Sequence, residues 1–164
     1  MGSHMVRYLL LTKKDIQVIN LDKLTYAGNT ENLKDIELDP RYTFIQGDIA
    51  DEKLVNEVVG RGVDVIINYA AETHVDRSIL SPRAFLETDI FGTYALLEAA
   101  KKFGVKKYIQ ISTDEVFGSI EQGEFTETSP FEPNSPYSAS KAGGDHLCRA
   151  YHVTYGVPVI VTHS

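Results

Sequence analysis

The sequence predicts an α/β fold in which helices wind around both faces of a parallel β-sheet. Short β-branched apolar runs alternate with longer stretches of helical spacing along the 164 residues, and 43% of the residues are hydrophobic, enough for a buried core. Strands that alternate with helices are typical of right-handed βαβ units, which build parallel sheets. Polar residues also follow four successive strands, at the sheet edge where this class of fold binds its ligands.

The individual elements follow from the spacing of apolar residues. Apolar runs predict strands at residues 16–21, 43–46, 63–69, 108–112 and 157–162. Helical spacing covers residues 29–38, 51–59, 82–103 and 136–155. Gly104 and Gly156 follow the last two helices and are predicted to end them. The long irregular stretch at residues 118–135 comes after a strand, and we expect such a loop to be functional.

Composition and charge make several classes of function unexpected. The net charge is −7 without a stripe of Lys and Arg, so a nucleic-acid partner is not expected. Cys148 is the only cysteine and the five histidines form no ligand set, so we expect no metal and no disulfide framework. No apolar run approaches the roughly 20 residues that span a bilayer and nothing resembles a signal peptide. We therefore expect no membrane partner and a reducing, cytoplasmic location.

The strongest chemical signal lies in two short segments late in the chain. Tyr137 and Lys141 are four residues apart on a predicted helix and share one face. A nearby ammonium favours the phenolate, so Lys141 is predicted to lower the pKa of Tyr137 and make it a base. Thr113, Asp114 and Glu115 follow the fourth strand, and two adjacent carboxylates, if partly buried, suit an acid and a base in one site. Such a set suits a reaction that moves several protons and a hydride.

Both signals also have plainer interpretations. An isolated Tyr and Lys at this spacing are usually a solvated helix face, and Asp114 and Glu115 could be solvated loop charges. The placement of the Tyr–Lys pair after Thr113, within a dinucleotide-type fold, favours the catalytic interpretation.

Three further strand ends carry signals for a dinucleotide cofactor. Asp22 could take both ribose hydroxyls and so favour NAD over its 2′-phosphorylated form, or it could form a strand-end turn or cap a helix. Asp48 could face the adenine amino group or cap the helix that begins near Asp51. The small residues Ala70 and Ala71 would let a dinucleotide lie close to the backbone, or serve tight packing of strand on helix.

Taken together, these motifs resemble the dTDP-glucose 4,6-dehydratases of the extended short-chain dehydrogenase/reductase superfamily. The segments that carry the resemblance lie at residues 20–29 (NLDKLTYAGN), 46–49 (QGDI), 70–78 (AAETHVDRS), 112–118 (STDEVFG) and 136–141 (PYSASK). The Asp-Glu pair after Thr113 is the discriminating element, because sugar-nucleotide epimerases of the same fold generally lack it.

The resemblance implies a Rossmann-like, NAD(P)-binding fold and a lyase of deoxysugar biosynthesis that converts dTDP-glucose to dTDP-4-keto-6-deoxyglucose. Tyr137, with Thr113 and Lys141, would remove the C4 hydroxyl proton while hydride passes to NAD. Glu115 would then take the C5 proton, Asp114 would protonate the departing C6 hydroxyl, and hydride would return to C6.

Cofactor contacts and assembly are implied in the same way. The implied NAD-binding residues are Asp22, Lys23, Thr25, Gly28, Asp48, Ile49, Ala70, Ala71, Thr73, Thr88, Tyr137 and Lys141. Relatives form homodimers through the helices that correspond to residues 82–103 and 136–155.

The chain departs from the family pattern at both ends. The first strand and the first two glycines of its turn are absent, and the chain stops where the family continues into a C-terminal substrate domain. Residues 6–164 are therefore expected to form a partial dinucleotide-binding domain with unpaired sheet edges. Residues 1–5 are either a vector scar or a remnant of the glycine-rich turn. Asp89 also stands where relatives usually carry Asn. An Asn accepts and donates whereas an ionised Asp only accepts, so this difference is expected to alter the support of the catalytic Tyr.

Two other functions stay open at this point. The chain could belong to another nucleotide-sugar epimerase or dehydratase of the same fold, or it could be a catalytically inactive fragment.

Overall fold

The alternation of strands and helices is confirmed, and every strand pairing is parallel. The computed structural model describes residues 1–164, which fall into two compact units, Met1–Ile49 and Ala50–Ser164. The parallel α/β, Rossmann-like class predicted from the sequence is thus correct.

The first unit contains one helix, two strands and a short 3-10 segment. Its elements are α1 (Gly2–Thr12), β1 (Val18–Asp22), the 3-10 segment Thr30–Ile36 and β2 (Tyr42–Gln46). Strand β1 pairs with β2 along its whole length, and Val6 and Leu10 of α1 pack with Leu33 into a small core.

Helix α1 was not among the predicted helices, and it includes residues 2–5. Its buried residues Val6 and Leu10 lie four apart, the spacing that places two side chains on one helix face. Arg41 caps its C-terminal end, because Nη2 donates to the Leu10 carbonyl at 3.0 Å and Nη1 to the Lys13 carbonyl at 2.9 Å.

The second unit is built on a three-stranded sheet in the order β3-β4-β5. Its strands are β3 (Val65–Asn68), β4 (Lys107–Ile111) and β5 (Val159–Thr162). Its helices are α2 (Glu52–Val59), α3 (Val75–Leu80), α4 (Pro82–Phe85), α5 (Thr93–Phe103) and α6 (Pro136–Tyr155). Strands β1 and β3 are each paired on one side only, so the unpaired edges expected from the sequence are present.

Helix α6 has the bounds that the sequence predicts because both of its ends are marked. Ser135 forms a capping box with Ser138, Pro136 occupies the first turn, and Gly156 ends the helix at a φ of 72°. Gly104 ends α5 in the same left-handed conformation.

Two details of the helices differ from the prediction. Residues 82–103 are helical throughout, but a π-helical turn at Leu86–Gly92 lies between α4 and α5. Asp51, not Asp48, caps α2 by accepting hydrogen bonds from the amides of Lys53 and Leu54. The short helix α3 was missed altogether.

The interior of the second unit includes Leu97, Tyr108, Val116 and Cys148, all fully buried. Burial raises the pKa of the Cys148 thiol to about 12. None of the helices is both long enough and apolar enough to cross a membrane.

Candidate active site

The turn after β4 presents the predicted acid and base. Thr113 is buried and caps the 3-10 turn Asp114–Phe117, where its Oγ1 accepts a hydrogen bond from the Glu115 amide at 3.3 Å. Asp114 and Glu115 occupy the first turn and are both exposed. The burial on which their predicted pKa separation depends is therefore not present.

Tyr137 lies at the start of α6 and is half-buried. Its ring packs edge-on against the buried Phe85, with centroids 6.3 Å apart and planes at 79°. Partial burial raises the pKa of Tyr137, a hydrogen bond with Thr113 opposes this, and the negative charge of Glu115 adds to it. The structure thus brings Tyr137, Thr113 and the Asp114–Glu115 turn together.

Lys141 contributes differently from what its spacing predicted. Its side chain is buried, and Nζ donates a hydrogen bond to the backbone carbonyl of Ile111 at 2.7 Å. The pKa of Tyr137 is raised rather than lowered, because partial burial outweighs the groups that favour the phenolate. The expectation that the neighbouring ammonium makes Tyr137 a ready base is therefore corrected.

Asp89 is a buried carboxyl beside this pair, on the π-helical turn. Ser140 donates a hydrogen bond from Oγ to Asp89 Oδ2 at 2.7 Å, while Oδ1 is buried without a well-formed hydrogen bond. Burial raises the pKa of Asp89 to about 6, against the opposing effects of Ser140 and Lys141. The sequence singled out Asp89 as a departure from the usual Asn that is expected to alter the support of the catalytic Tyr. Ser140 was missed, although it is three residues from Tyr137 on the same helix face.

A second buried carboxyl, Asp145, lies one helical turn beyond Lys141. Its Oδ2 accepts a hydrogen bond from Ser112 Oγ at 2.6 Å and lies 3.2 Å from His163 Nε2. Burial raises the pKa of Asp145, and Ser112, His163 and Lys141 oppose the rise. The sequence signal was available, since Asp145 follows Lys141 by four residues and so shares its helix face.

The segment after β3 is shaped by a buried amide that sequence reasoning missed. Asn68 accepts a hydrogen bond from the Ala70 amide at 3.2 Å and donates to Gln110 Oε1 at 3.0 Å. Ala70 and Ala71 are half-buried, as a close approach of a ligand to the backbone requires. The second unit holds six of the predicted cofactor residues, namely Ala70, Ala71, Thr73, Thr88, Tyr137 and Lys141.

The first unit holds the other six predicted cofactor residues, namely Asp22, Lys23, Thr25, Gly28, Asp48 and Ile49. Asp22 is exposed at the end of β1, and its Oδ1 accepts a hydrogen bond from the Leu24 amide at 2.8 Å, so the strand-end turn is real. Lys23 forms an ion pair with Asp48 at 2.5 Å. Leu24 has a φ of 54°, and a Cβ on Gly28 would lie 2.5 Å from Leu24 Cα, so this tight loop requires a glycine.

Metal ligation has no support in the geometry. No group of three or more His, Cys, Asp or Glu side chains is arranged to hold a metal ion.

Known proteins similar to this chain form a consistent group. The family described as GDP-mannose 4,6 dehydratase matches residues 1–164. The dTDP-glucose 4,6-dehydratase of Streptomyces griseus is 50% identical over 163 residues, which are 98% of this chain and 49% of the relative. The chain spans about half the length of the curated relatives that it matches.

Solved structures give the same result. DesIV, a dTDP-glucose 4,6-dehydratase of Streptomyces venezuelae solved with NAD bound, superposes with a TM-score of 0.95 at 52% identity. The match covers 99% of this chain and 51% of the DesIV chain. A UDP-Glc/GlcNAc 4-epimerase of Campylobacter jejuni superposes with a TM-score of 0.90 at 27% identity. That match covers 99% of this chain and 49% of the epimerase chain. The resemblance to dTDP-glucose 4,6-dehydratases is confirmed, and the epimerase is the more distant neighbour.

Proposed function

Because the chain belongs to the GDP-mannose 4,6 dehydratase family, we propose that it supplies the NAD-binding and catalytic residues of a lyase that dehydrates dTDP-glucose. The observation that carries this proposal is that Tyr137 lies close enough to Thr113 and Glu115 for both to act on its pKa, which Thr113 lowers and the charge of Glu115 raises. A phenol, a hydroxyl and two carboxylates within one site provide a separate group for each proton that a 4,6-dehydration moves.

The residues present fit NAD as the cofactor. An exposed carboxylate ends β1 at Asp22, where a ribose would be bound, and small residues follow β3 at Ala70 and Ala71. When bound by these residues, NAD would supply the reversible hydride transfer that an oxidation at C4 and a reduction at C6 require. DesIV, which is 52% identical to this chain over the region that the two share, is a relative with NAD bound.

Tyr137 would begin the reaction by accepting the proton of the C4 hydroxyl. Its phenol is half-buried, which raises its pKa, so the phenolate must be stabilised when the substrate is bound. Thr113 provides one such contribution, because its hydrogen bond lowers the pKa of Tyr137. Lys141 shares its α6 face with Tyr137, donates a hydrogen bond to the Ile111 carbonyl of β4 and would supply positive charge near the phenol.

Glu115 and Asp114 would carry out the elimination. Once C4 is a ketone, the C5 proton becomes acidic enough for a carboxylate to remove, which is why oxidation must come first. Glu115 would take that proton, and Asp114 would give one to the departing C6 hydroxyl. Both side chains extend from the first turn of the 3-10 segment that Thr113 caps.

A substrate panel tests this proposal. The whole protein is incubated with dTDP-, UDP-, CDP- and GDP-sugars, and the masses of the products are measured by mass spectrometry. We expect the loss of one water from dTDP-glucose in preference to the others. Isomerisation without loss of mass would favour an epimerase of the same fold, and absence of any product would contradict the enzyme assignment.

A variant of Glu115 separates dehydration from epimerisation, because inversion at C4 needs no C5 proton abstraction. Glu115→Gln is expected to lower dehydration by about 100-fold or more, within the usual range for a lost general base. Glu121→Gln, an exposed loop residue, is the matched control and should leave the rate unchanged. Equal rates for both variants would remove Glu115 from the mechanism.

We further propose a homodimer and a cytoplasmic location. Large apolar side chains are exposed on the turn after α4 and on α6, with Phe91 60% and Val153 68% exposed, which suits helix packing against a second copy. Sedimentation of the whole protein tests this, and a monomer at micromolar concentration would contradict it. Use of NAD and the free buried thiol of Cys148 favour a reducing compartment.

A further inference from the structure

We propose that Asp145 is a positioning residue that holds both ends of the turn from which the proposed acid and base extend. The inference rests on the proposed function, because Asp114 and Glu115 have those roles there. It is carried by two contacts, with Ser112 and His163, that meet at one buried oxygen of Asp145.

The end of the turn that follows β4 is held through Ser112. This residue is buried and directly precedes Thr113, which caps the turn. Its Oγ donates a hydrogen bond to Asp145 Oδ2 at 2.6 Å, and its amide donates to the Thr162 carbonyl of β5 at 2.8 Å. Both the side chain and the backbone of Ser112 are therefore fixed immediately before the turn begins.

The other end of the turn is held through His163, the residue that follows β5. Its Nε2 lies 3.2 Å from the same Asp145 Oδ2, and because an ionised carboxylate only accepts, His163 is the donor. The imidazole ring packs against the ring of Phe117, the last residue of the turn, with centroids 4.9 Å apart. Phe131 packs against both rings, at 5.2 Å from Phe117 and 5.8 Å from His163 between centroids. One imidazole thus connects Asp145 to the end of the turn.

The turn between these two ends has few constraints of its own. It is a single 3-10 segment of four residues, a conformation with poorer hydrogen-bond geometry than an α-helix. Asp114 and Glu115 are both exposed, so packing around their side chains contributes little to their positions. Contacts at the two ends of the turn therefore contribute directly to how precisely the two carboxylates are held.

The two contacts depend on each other because they share one oxygen. Asp145 is buried, and its other oxygen, Oδ1, lacks a well-formed hydrogen bond. Burial raises the pKa of this carboxyl, while Ser112, His163 and Lys141 favour its charged form. Removing either donor leaves a buried charge with one partner fewer, which is costly. We therefore expect the loss of Ser112 or of His163 as a donor to loosen the turn.

The test is amide hydrogen exchange in the whole protein without substrate, followed by NMR. His163→Phe keeps an aromatic ring in place but cannot donate to Asp145. The reporters are the amides of Glu115 and Gly118, which donate to Thr113 Oγ1 and to the Glu115 carbonyl. We expect both to exchange about tenfold faster or more, the effect of one lost hydrogen bond to a charged group.

Two controls separate a local effect from a global one. The Tyr108 amide, which donates to the Pro158 carbonyl at 2.9 Å, reports opening of the sheet and should keep its wild-type rate. His152→Phe is the matched variant, because His152 Nδ1 lies 2.9 Å from the Val157 carbonyl at the far end of α6, and it should leave the turn unchanged. Unchanged exchange in the turn of His163→Phe, or equally faster exchange at Tyr108, overturns the proposal.

Two further variants test whether these contacts act through Asp145. Ser112→Ala removes the other donor to the same oxygen and should also speed exchange at Glu115 and Gly118, which gives an independent result should His163→Phe not fold. In an Asp145→Leu background, which keeps a side chain of similar shape, His163→Phe should add less than about twofold. Unchanged exchange in Ser112→Ala, or a full effect of His163→Phe without the carboxyl, contradicts the proposal.

Turnover then tests whether the position of the acid and the base matters. In the whole protein, His163→Phe is expected to lower kcat for dehydration by about tenfold or more with little change in KM, because a misplaced acid or base slows the chemical step. His152→Phe should keep wild-type values, and an unchanged kcat in His163→Phe contradicts the positioning role. A wild-type protein that dehydrates no sugar would contradict the proposed function, whereas the exchange rates would still report on Asp145.

Discussion

At the scale of single residues, Tyr137 has surroundings that oppose the role proposed for it. Partial burial and nearby carboxylates raise its pKa, and only the hydrogen bond with Thr113 acts in the other direction among the dominant effects. A base of this kind becomes effective when substrate and cofactor add positive charge or hydrogen bonds to the phenolate. The residues around Tyr137 thus explain why ionisation would be coupled to binding.

Removing the Tyr137 hydroxyl should abolish most of the activity without unfolding the protein. Tyr137→Phe keeps the ring that packs on Phe85, so the thermal midpoint should stay within a few degrees of wild type. We expect kcat to fall by about 100-fold or more, because a positioned proton acceptor is lost. Tyr151→Phe is the control and should keep full activity. Tyr151 lies on the same helix as Tyr137, and the change removes a hydroxyl that donates a hydrogen bond to Glu98 of α5.

The stability of the protein should depend on pH through Asp89. Its pKa is about 6 in the folded chain against 3.8 for an ordinary aspartate, so the folded state holds this proton more tightly than the unfolded state. The contribution of Asp89 to stability is therefore fully favourable below pH 4 and is lost as the pH rises through 6. The loss amounts to about 3 kcal/mol at most.

Chemical denaturation of Asp89→Asn against wild type measures this effect. The free energy of unfolding of the variant relative to wild type should grow between pH 4 and pH 6 and stay constant above that range. A difference that does not change with pH would show that Asp89 ionises at an ordinary pKa.

The sequence identifies exposed or motif-borne site residues better than buried ones. Thr113, Tyr137 and Lys141 stand in a recognisable order and were found from that order. Asp145 was not assigned a role, and Asp89 was noted only through its departure from the usual Asn. The burial of both carboxyls and the single ammonium that acts on both are not visible in a linear pattern.

At the scale of elements, the turn after β4 is held by a close backbone approach. The Glu132 amide donates to the Val116 carbonyl at 3.0 Å, and Gly118 has a φ of 91°. A Cβ on Gly118 would lie 2.5 Å from the Glu132 carbonyl oxygen. The base of the loop at residues 118–135 is thereby fixed next to Asp114 and Glu115.

Gly118→Ala should destabilise the protein and disturb this turn. Gly123→Ala is the matched control, because Gly123 has a φ of 97° in the same loop but only an ordinary contact at 3.7 Å. Both variants carry the strain of a positive φ, so the difference between them measures the backbone clash. We expect Gly118→Ala to cost roughly 1–3 kcal/mol more in denaturant unfolding, and equal costs would refute the close approach.

Helix prediction succeeded where the ends are marked and failed where tertiary packing decides. Helix α6 was predicted to the residue because Ser135, Pro136 and Gly156 mark its ends. The π-helical turn at Leu86–Gly92 was not foreseen, because apolar spacing alone predicts a regular helix over residues 82–103. The six-residue helix α3 has no side-chain cap at its first turn and left no signal.

At the scale of the whole molecule, the predicted cofactor residues are divided between the two units. Asp22 in the first unit is the residue that we propose selects the dinucleotide, because a carboxylate binds ribose hydroxyls and repels a 2′-phosphate. Asp22→Ser should lower the ratio of the NADP Kd to the NAD Kd by roughly tenfold or more. A tenfold change corresponds to about 1.4 kcal/mol in the difference between the two binding free energies.

Fluorescence titration of the whole protein with both cofactors measures that preference. Asp15→Ser, which removes another exposed carboxylate of the first unit, is the control and should leave the preference unchanged. An unaltered preference in Asp22→Ser would mean that Asp22 serves only the strand-end turn through Leu24.

The path of one hydrogen atom tests the central claim most directly. The whole protein is given dTDP-glucose with deuterium at C4, and the product is examined by NMR. Oxidation at C4, elimination of water and reduction at C6 predict deuterium in the C6 methyl group of a 4-keto product. Deuterium that returns to C4, or that is lost to water, would contradict the proposed dehydration.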